Sequence, residues 1–159
     1  MKNLTIAITG STGLVGTRLT RTLQAQGHTV VPLRRDGGEP GIFWDPIEGQ
    51  VAEGLAECDA VVHLAGAPIA EHRWSDEVKD TIRASRVLGT RTLCSALAEL
   101  PPRPLISTSA VGFYGDRDDE ELDETSMQGT GFLAEVAEAW EEEARKAPGR
   151  VAIVRVGLV

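Results

Sequence analysis

Positive charge is scarce in this chain. Sixteen Lys and Arg stand against 24 Asp and Glu, a net charge of −8 at pH 7. A nucleic-acid backbone is therefore not an expected partner, because it is bound by clustered positive charge. Cysteine is scarce too. Cys58 and Cys94 lie far apart at no metal or redox spacing, so no metal site is expected. They read as buried, reduced thiols of a cytoplasmic protein. No apolar run reaches the roughly 18 residues of a membrane span, and no signal-peptide core precedes the first strand-like run, so no membrane partner is expected. Internal repeats and low-complexity tracts are absent. The 159 residues, 42% of them hydrophobic, suit one globular domain long enough to bury a core.

The informative stretch is at the start. Leu4-Thr5-Ile6-Ala7-Ile8-Thr9 is β-prone. Gly10-Ser11-Thr12-Gly13-Leu14-Val15-Gly16 then places three glycines three apart, and Leu19 and Leu23 follow Val15 at helical steps. Strand, glycine turn and helix in succession form a device for binding a diphosphate. Gly10 permits the sharp turn. Gly13 lets a pyrophosphate approach the backbone, and Gly16 lets the helix pack closely. The helix N-terminus offers unpaired N–H groups and a partial positive charge. The dipole alone contributes about 0.3–1 kcal/mol, so the N–H groups must supply more.

The first helix is expected to end near Gln26, at Gly27. A second strand, Thr29–Leu33, runs into Arg34-Arg35-Asp36, and Pro32 points to an imperfect ladder within it. An acidic residue at this point of a dinucleotide site holds a ribose 2′-hydroxyl, whereas arginine suits a 2′-phosphate. Two arginines come first here, so NADP is the expected cofactor and NAD the alternative. One charge-assisted bond is worth about 1.5–3 kcal/mol, roughly ten- to hundredfold in affinity.

Farther on, residues 36–41 read as a loop, 42–44 as a third strand, 51–57 as a short helix and 59–64 as a fourth strand. That strand is apolar nearly throughout, as one buried on both faces should be. His63 inside it reads as a buried, hydrogen-bonded histidine. Ala65-Gly66-Ala67 follows, small enough for a ligand to lie on the backbone, and Leu64, Ala65 and Gly66 are expected to bind the cofactor. A long helix follows over 75–100, with Val78, Ile82, Leu93 and Leu97 as its buried stripe. A fifth strand over 105–109, an acidic loop over 116–124, a helix over 132–146 and a sixth strand over 151–154 complete the pattern. In the later helix, Phe132, Val136 and Trp140 face one way and Glu135, Glu138 and Glu142 the other. Strands alternating with helices imply an α/β fold: a Rossmann-type, doubly wound parallel sheet of about six strands. Its ligand crevice lies at the carboxyl ends of the strands, between the first and fourth.

These residues resemble a known family. Thr9–Gly16 is similar to the T-G-x-x-G-x-x-G of extended short-chain dehydrogenases/reductases, the NAD-dependent epimerase/dehydratase group. Asp59–Gly66 resembles that group's fourth-strand motif, and Leu88-Gly89-Thr90 its G-T on the long helix. Ser107-Thr108-Ser109 with Tyr114-Gly115 resembles its serine motif. Trp44-Asp45-Pro46, Arg73-Trp74, Ser85-Arg86 and Trp140-Glu141 look closest to an atypical subgroup, the epimerase family proteins related to a nucleoside-diphosphate-sugar epimerase. The resemblance implies an NAD(P)-binding Rossmann domain over residues 1–159, continued in the family by a smaller substrate-binding part. On that basis the sequence looks like the N-terminal portion of a longer protein. It also places Arg86 beside the cofactor, where the family usually has asparagine. The related group pairs through its two long helices, which makes a homodimer one expectation; the sheet would cover the same stripes in a monomer.

The family's chemistry uses a Tyr-x-x-x-Lys pair. A phenol near pKa 10 needs such help at neutral pH. The single tyrosine here is Tyr114, and Asp118 stands four residues on. The later helix offers Phe132 or Leu133, with Val136 or Ala137, at the positions of the pair. Ser109 and Tyr114 are left as candidate catalytic residues. Two readings follow: an NADP(H)-dependent oxidoreductase or epimerase-like protein acting on a carbonyl or sugar-nucleotide small molecule, and a non-catalytic NADP(H)-sensing module.

Overall fold

The computed structural model describes residues 2–37, 40–71 and 73–157. Gly38 and Glu39, within the loop expected over 36–41, lie outside the described residues.

The β-prone run forms β1 (Thr5–Thr9), and the glycine turn leads into α1 (Leu14–Ala25). β2 (Thr29–Arg34), β3 (Ile42–Asp45) and β4 (Gln50–Val51) then step away from β1. The chain returns to place β5 (Ala60–His63) against the other side of β1. From there α2 (Asp76–Ala98), β6 (Leu105–Ala110), α3 (Phe132–Ala144) and β7 (Val151–Val156) extend the sheet outward. The order is β4-β3-β2-β1-β5-β6-β7. Every pairing is parallel except β3 with β4.

The sheet therefore has seven strands, and residues 51–57 are not the helix expected from sequence. Asp45 explains the difference. Its carboxylate accepts the N–H groups of Ile47 (2.8 Å) and Glu48 (3.0 Å). This side-chain turn reverses the chain, and Val51 pairs antiparallel with Trp44. Only Leu55–Glu57 is helical, as one 3₁₀ turn around the buried Leu55. A second 3₁₀ turn, Val111–Tyr114, follows β6. Pro32 stands opposite Ile8 of β1, and β3 joins β2 only at Leu33 and Arg34. The proline thus lies outside the short β2–β3 ladder.

Side chains alternate across the sheet. One face sends Ala7, Leu33, Val61 and Leu105 into the main core, closed by Leu93, Cys94 and Leu97 of α2 and by Trp44. The other face gives Ile6, Ile8 and Val62, covered by Leu19 and Leu23 of α1. Among the described residues no helix covers β6 and β7 on that second face, where Ala152 and Val154 are exposed. Val15 was expected to share the buried stripe of α1, but it is 41% exposed. It sits in the first turn, beside the glycine loop, and the stripe begins only at Leu19.

Both cysteines are buried and free. Burial pushes the Cys94 thiol up to about 11, which makes it unreactive at neutral pH. No helix among the described residues is long and apolar enough to cross a membrane.

Candidate functional site

Because β1 leads into α1 on one face of the sheet and its neighbour β5 into α2 on the other, a crevice opens at their carboxyl ends. The glycine loop lies there. Gly10 has φ +67°, and a Cβ on it would meet Ala65 N and Leu64 C at 3.0 Å. The loops after β1 and β5 therefore touch through backbone alone. Gly13 is the N-cap of α1, and its N–H closes the turn by donating to the Gly10 carbonyl at 3.1 Å. Gly16 is buried. A Cβ there would overlap the Gly10 carbonyl oxygen and sit 2.8 Å from Ser11 Cα. Gly16 is thus needed for the helix to pack on its own entry loop, closer than the sheet contact that its spacing suggested.

This leaves α1 with an open terminus. No side chain caps it, and its first turn carries no acidic residue. The N–H groups of Leu14, Val15 and Gly16 donate to no backbone carbonyl among the described residues. Leu14 is 75% exposed over the same rim, with Ser11 and Thr12 at the loop's crest. Free donors, a positive dipole end and no competing carboxylate together suit a diphosphate. Gly16→Ala is expected to lower dinucleotide affinity by about tenfold or more, because the first turn must move off the loop to admit the methyl. Calorimetric titration would read the loss; wild-type affinity in the variant would contradict the packing argument.

Arg34 is the last residue of β2, and Arg35 follows it, exposed. Arg34 is not free. Its Nε and Nη2 donate to the two Asp36 carboxylate oxygens at 2.9 and 2.8 Å. That pair holds the guanidinium in its charged form.

Thr9 joins the crevice to the core. Its Oγ1 accepts the N–H groups of Leu64 (3.0 Å) and Ala65 (3.2 Å). Its proton is left for His63 Nδ1, 2.7 Å away. His63 therefore carries its own proton on Nε2 and donates to Thr90 Oγ1 at 3.0 Å, whose hydroxyl donates to the Arg86 carbonyl. The ring is fully buried between Trp44 and Trp140, both edge-on to it. Burial alone lowers its pKa to about 4. It is a neutral strut under the Leu64–Ala65 loop, in keeping with its reading as a core histidine.

Ser109 and Tyr114 lie on the α3 side of the sheet, and a group that the sequence reading missed connects them. Glu141 of α3 is 1% exposed. It accepts Ser109 Oγ–H at 2.7 Å, Arg155 Nε and Nη2 at 2.7 and 2.9 Å, and Arg145 Nη2 at 2.7 Å. Burial raises the carboxyl's pKa, but the bonds from Arg155 and Ser109 and the two arginine charges outweigh it and hold the group ionised. Arg155 Nη1 donates to Tyr114 OH at 2.9 Å, and that hydroxyl donates to the Asp123 carbonyl at 2.8 Å. The guanidinium also lies 3.5 Å over the Phe113 ring. The protons of both Ser109 and Tyr114 are thus engaged inside the protein. Helical spacing carried the missed signal: Ala134, Ala137, Glu141 and Ala144 share the buried face of α3.

Arg86 projects from α2 onto the loop after β5, whose Gly66 lies against its guanidinium. Ser85 beside it accepts the Ala67 N–H at 3.0 Å. The carboxyl edge therefore brings together the glycine loop, Arg34, Arg35, Leu64, Ala65, Gly66 and Arg86. Ser109 and Tyr114 belong to the adjoining buried network.

The model of the NAD dependent epimerase/dehydratase family matches residues 6–131. An epimerase family protein of Mycobacterium bovis is 40% identical over 165 residues, an alignment covering 100% of this chain and 55% of that protein. The chain thus spans about half the length of the curated relatives it matches. Among solved structures, a nucleoside-diphosphate sugar epimerase from Corynebacterium glutamicum is 46% identical with a TM-score of 0.84, over 97% of this chain and 34% of that one. The human epimerase family protein SDR39U1 (isoform 2), solved with NADPH, is 32% identical with a TM-score of 0.86, over 96% and 53%.

Proposed function

Since this chain belongs to the NAD dependent epimerase/dehydratase family, we propose that its carboxyl edge binds NADP(H), as the cofactor-holding half of an oxidoreductase or epimerase-like protein. The observation that carries this reading is the open α1 terminus behind Gly10–Gly16, packed backbone to backbone against Leu64 and Ala65. Gly10, Ser11, Thr12, Gly13, Leu14, Val15 and Gly16 would hold the diphosphate, and Leu64, Ala65 and Gly66 would line the nucleotide's path. A bound nicotinamide supplies hydride transfer. The solved human relative with NADPH supports a phosphorylated cofactor.

Selectivity for the 2′-phosphate would come from Arg35, which is exposed, and from Arg34 once its fork exchanges Asp36 for phosphate. This ordering has a measurable consequence. Asp36→Asn should tighten NADPH binding by severalfold, while the Arg34→Ala/Arg35→Ala double variant should lose about ten- to hundredfold and bind NADH unchanged. Calorimetric titration of both nucleotides into each protein tests it. Equal affinity of wild type for NADPH and NADH would remove the NADP preference.

For the chemistry, Ser109 would hold a substrate oxygen and Tyr114, or a group outside these 159 residues, would move the proton on a carbonyl or sugar-nucleotide substrate. Both hydroxyls must first leave their present acceptors, Glu141 and the Asp123 carbonyl. That engagement favours a second reading, in which the fold senses NADP(H) without turnover. NADPH oxidation by full-length protein across a carbonyl panel, lost in Ser109→Ala, supports the first. A partner whose affinity changes with NADPH, with no turnover, supports the second.

A further inference from the structure

Four arginines of this protein share an arrangement. Arg34, Arg91, Arg117 and Arg155 each direct the edge formed by Nε and Nη2 at a carboxylate: Asp36, Glu143, Glu120 and Glu141 respectively. Arg86 breaks the pattern. Its Nη1 spends both N–H groups on backbone, donating to the Ala67 carbonyl at 3.1 Å and the Ile82 carbonyl at 3.2 Å. Its Nε and Nη2 donate to no protein acceptor among the described residues, and it has no ion-pair partner there. The side chain is half-buried, and its Cζ lies 5.3 Å from the Trp140 ring centroid. A Cβ on Gly66 would come within 3.2 Å of Cζ, so the absence of a side chain at Gly66 makes room for this placement. Burial also lowers its pKa below the usual guanidinium value. The fold thus anchors one half of a desolvated cation and leaves the other half, which is the edge that grips planar oxyanions, without a counter-charge.

From this placement we infer that the unpaired Nε/Nη2 edge of Arg86 receives an anionic group, a carboxylate or phosphate, of the substrate. The inference rests on the nicotinamide site proposed above, since it assigns the substrate side of that crevice. Arg86 lies against Gly66 of the proposed nucleotide path, yet it approaches from the other side of the sheet than the diphosphate cradle. The diphosphate cradle belongs to α1, on one face of the sheet. Arg86 belongs to α2, on the face that also carries Ser109. The substrate class is therefore an anionic compound, and Arg86, which the family resemblance placed beside the cofactor, is assigned in this proposal to the substrate.

The test uses the ¹⁵N-labelled chain, with the Arg86 Nε–H signal identified by its loss in Arg86→Gln. Oxamate and inorganic phosphate are titrated with and without saturating NADPH, and neutral oxamide serves as control. Oxamate or phosphate should shift that signal to saturation and oxamide should not. Arg86→Gln should weaken the anion about ten- to hundredfold, and Arg86→Lys should recover only part, because an ammonium lacks the planar fork. Because Arg86 stands at the edge proposed for the cofactor, NADPH is titrated into both variants as well, and the anion loss should exceed any NADPH loss. Three results would overturn the inference: no saturable shift with either anion, undiminished anion binding in Arg86→Gln, or an NADPH loss in the variants as large as the anion loss, which would return the guanidinium to the cofactor. A wild-type chain that binds oxamate at Arg86 but not NADPH would sink the cofactor reading and leave the anion site standing.

Discussion

Glu141→Ala should destabilise this chain by about 3–5 kcal/mol, the cost of breaking a buried ion pair from one side. The carboxylate is 1% exposed and takes four hydrogen bonds from three residues. Without it, Arg155 keeps its charge in a largely covered site with Tyr114 and the Phe113 ring as its remaining partners, and the Ser109 hydroxyl loses its acceptor. Unfolding free energies of single domains run only to about 5–15 kcal/mol, so the variant would lose a large share of its stability. Its melting temperature should fall by about 10 °C or more. Urea denaturation of wild type and variant measures the difference, and a change below about 1 kcal/mol would show that the pair is not worth its desolvation. The double replacement Glu141→Met/Arg155→Met is the informative companion. It removes both charges at once and should recover much of the loss, because apolar side chains of similar volume need no partner.

His63 should make stability fall on mild acidification. The sign follows from proton uptake. An unfolded histidine titrates near 6.5, and this one near 4 when folded. Between those values the unfolded chain binds the extra proton, so stability rises with pH across the window and is lost as pH falls through it. The full window corresponds to about 3 kcal/mol, of which about 2 kcal/mol disappears between pH 6.5 and pH 5. The structural cause is that a protonated ring must donate from both nitrogens. Thr9 Oγ1 already accepts two N–H bonds and gives its own proton to Nδ1. Charging the ring would therefore break the tie between the β5 loop and β1. Urea midpoints between pH 5 and 7 for wild type and His63→Gln test this. The glutamine variant should lack the slope; an equal slope in both would move its origin to another group.

Much of the architecture was legible in the amino-acid sequence because it depends on local rules. Glycine spacing between a β-prone run and an amphipathic stretch marked β1, the loop and α1. A nearly continuous apolar run marked β5 as a strand buried on both faces. The spacing of Val78, Ile82, Leu93 and Leu97 marked α2, whose start the structure caps with Ser75. The 51–57 segment misled because Val51 and Leu55 have helical spacing. The Asp45 turn, which pairs Val51 with Trp44, depends on a side chain that periodicity does not weigh.

The primary structure, then, was enough to determine a Rossmann-type α/β sheet and to mark the first glycine turn as its candidate site, since such a signal is written in neighbouring residues. Only the tertiary structure decided which polar groups are spent and which are available. Ser109 and Tyr114 looked free and are engaged by Glu141, Arg155 and the Asp123 carbonyl. Arg34 looked free and is held by Asp36. Arg86, placed beside the cofactor by the family resemblance, is half-anchored, with its gripping edge unpaired among the described residues. Hydrogen-bond partnership joins residues tens of positions apart, and folding alone sets those distances.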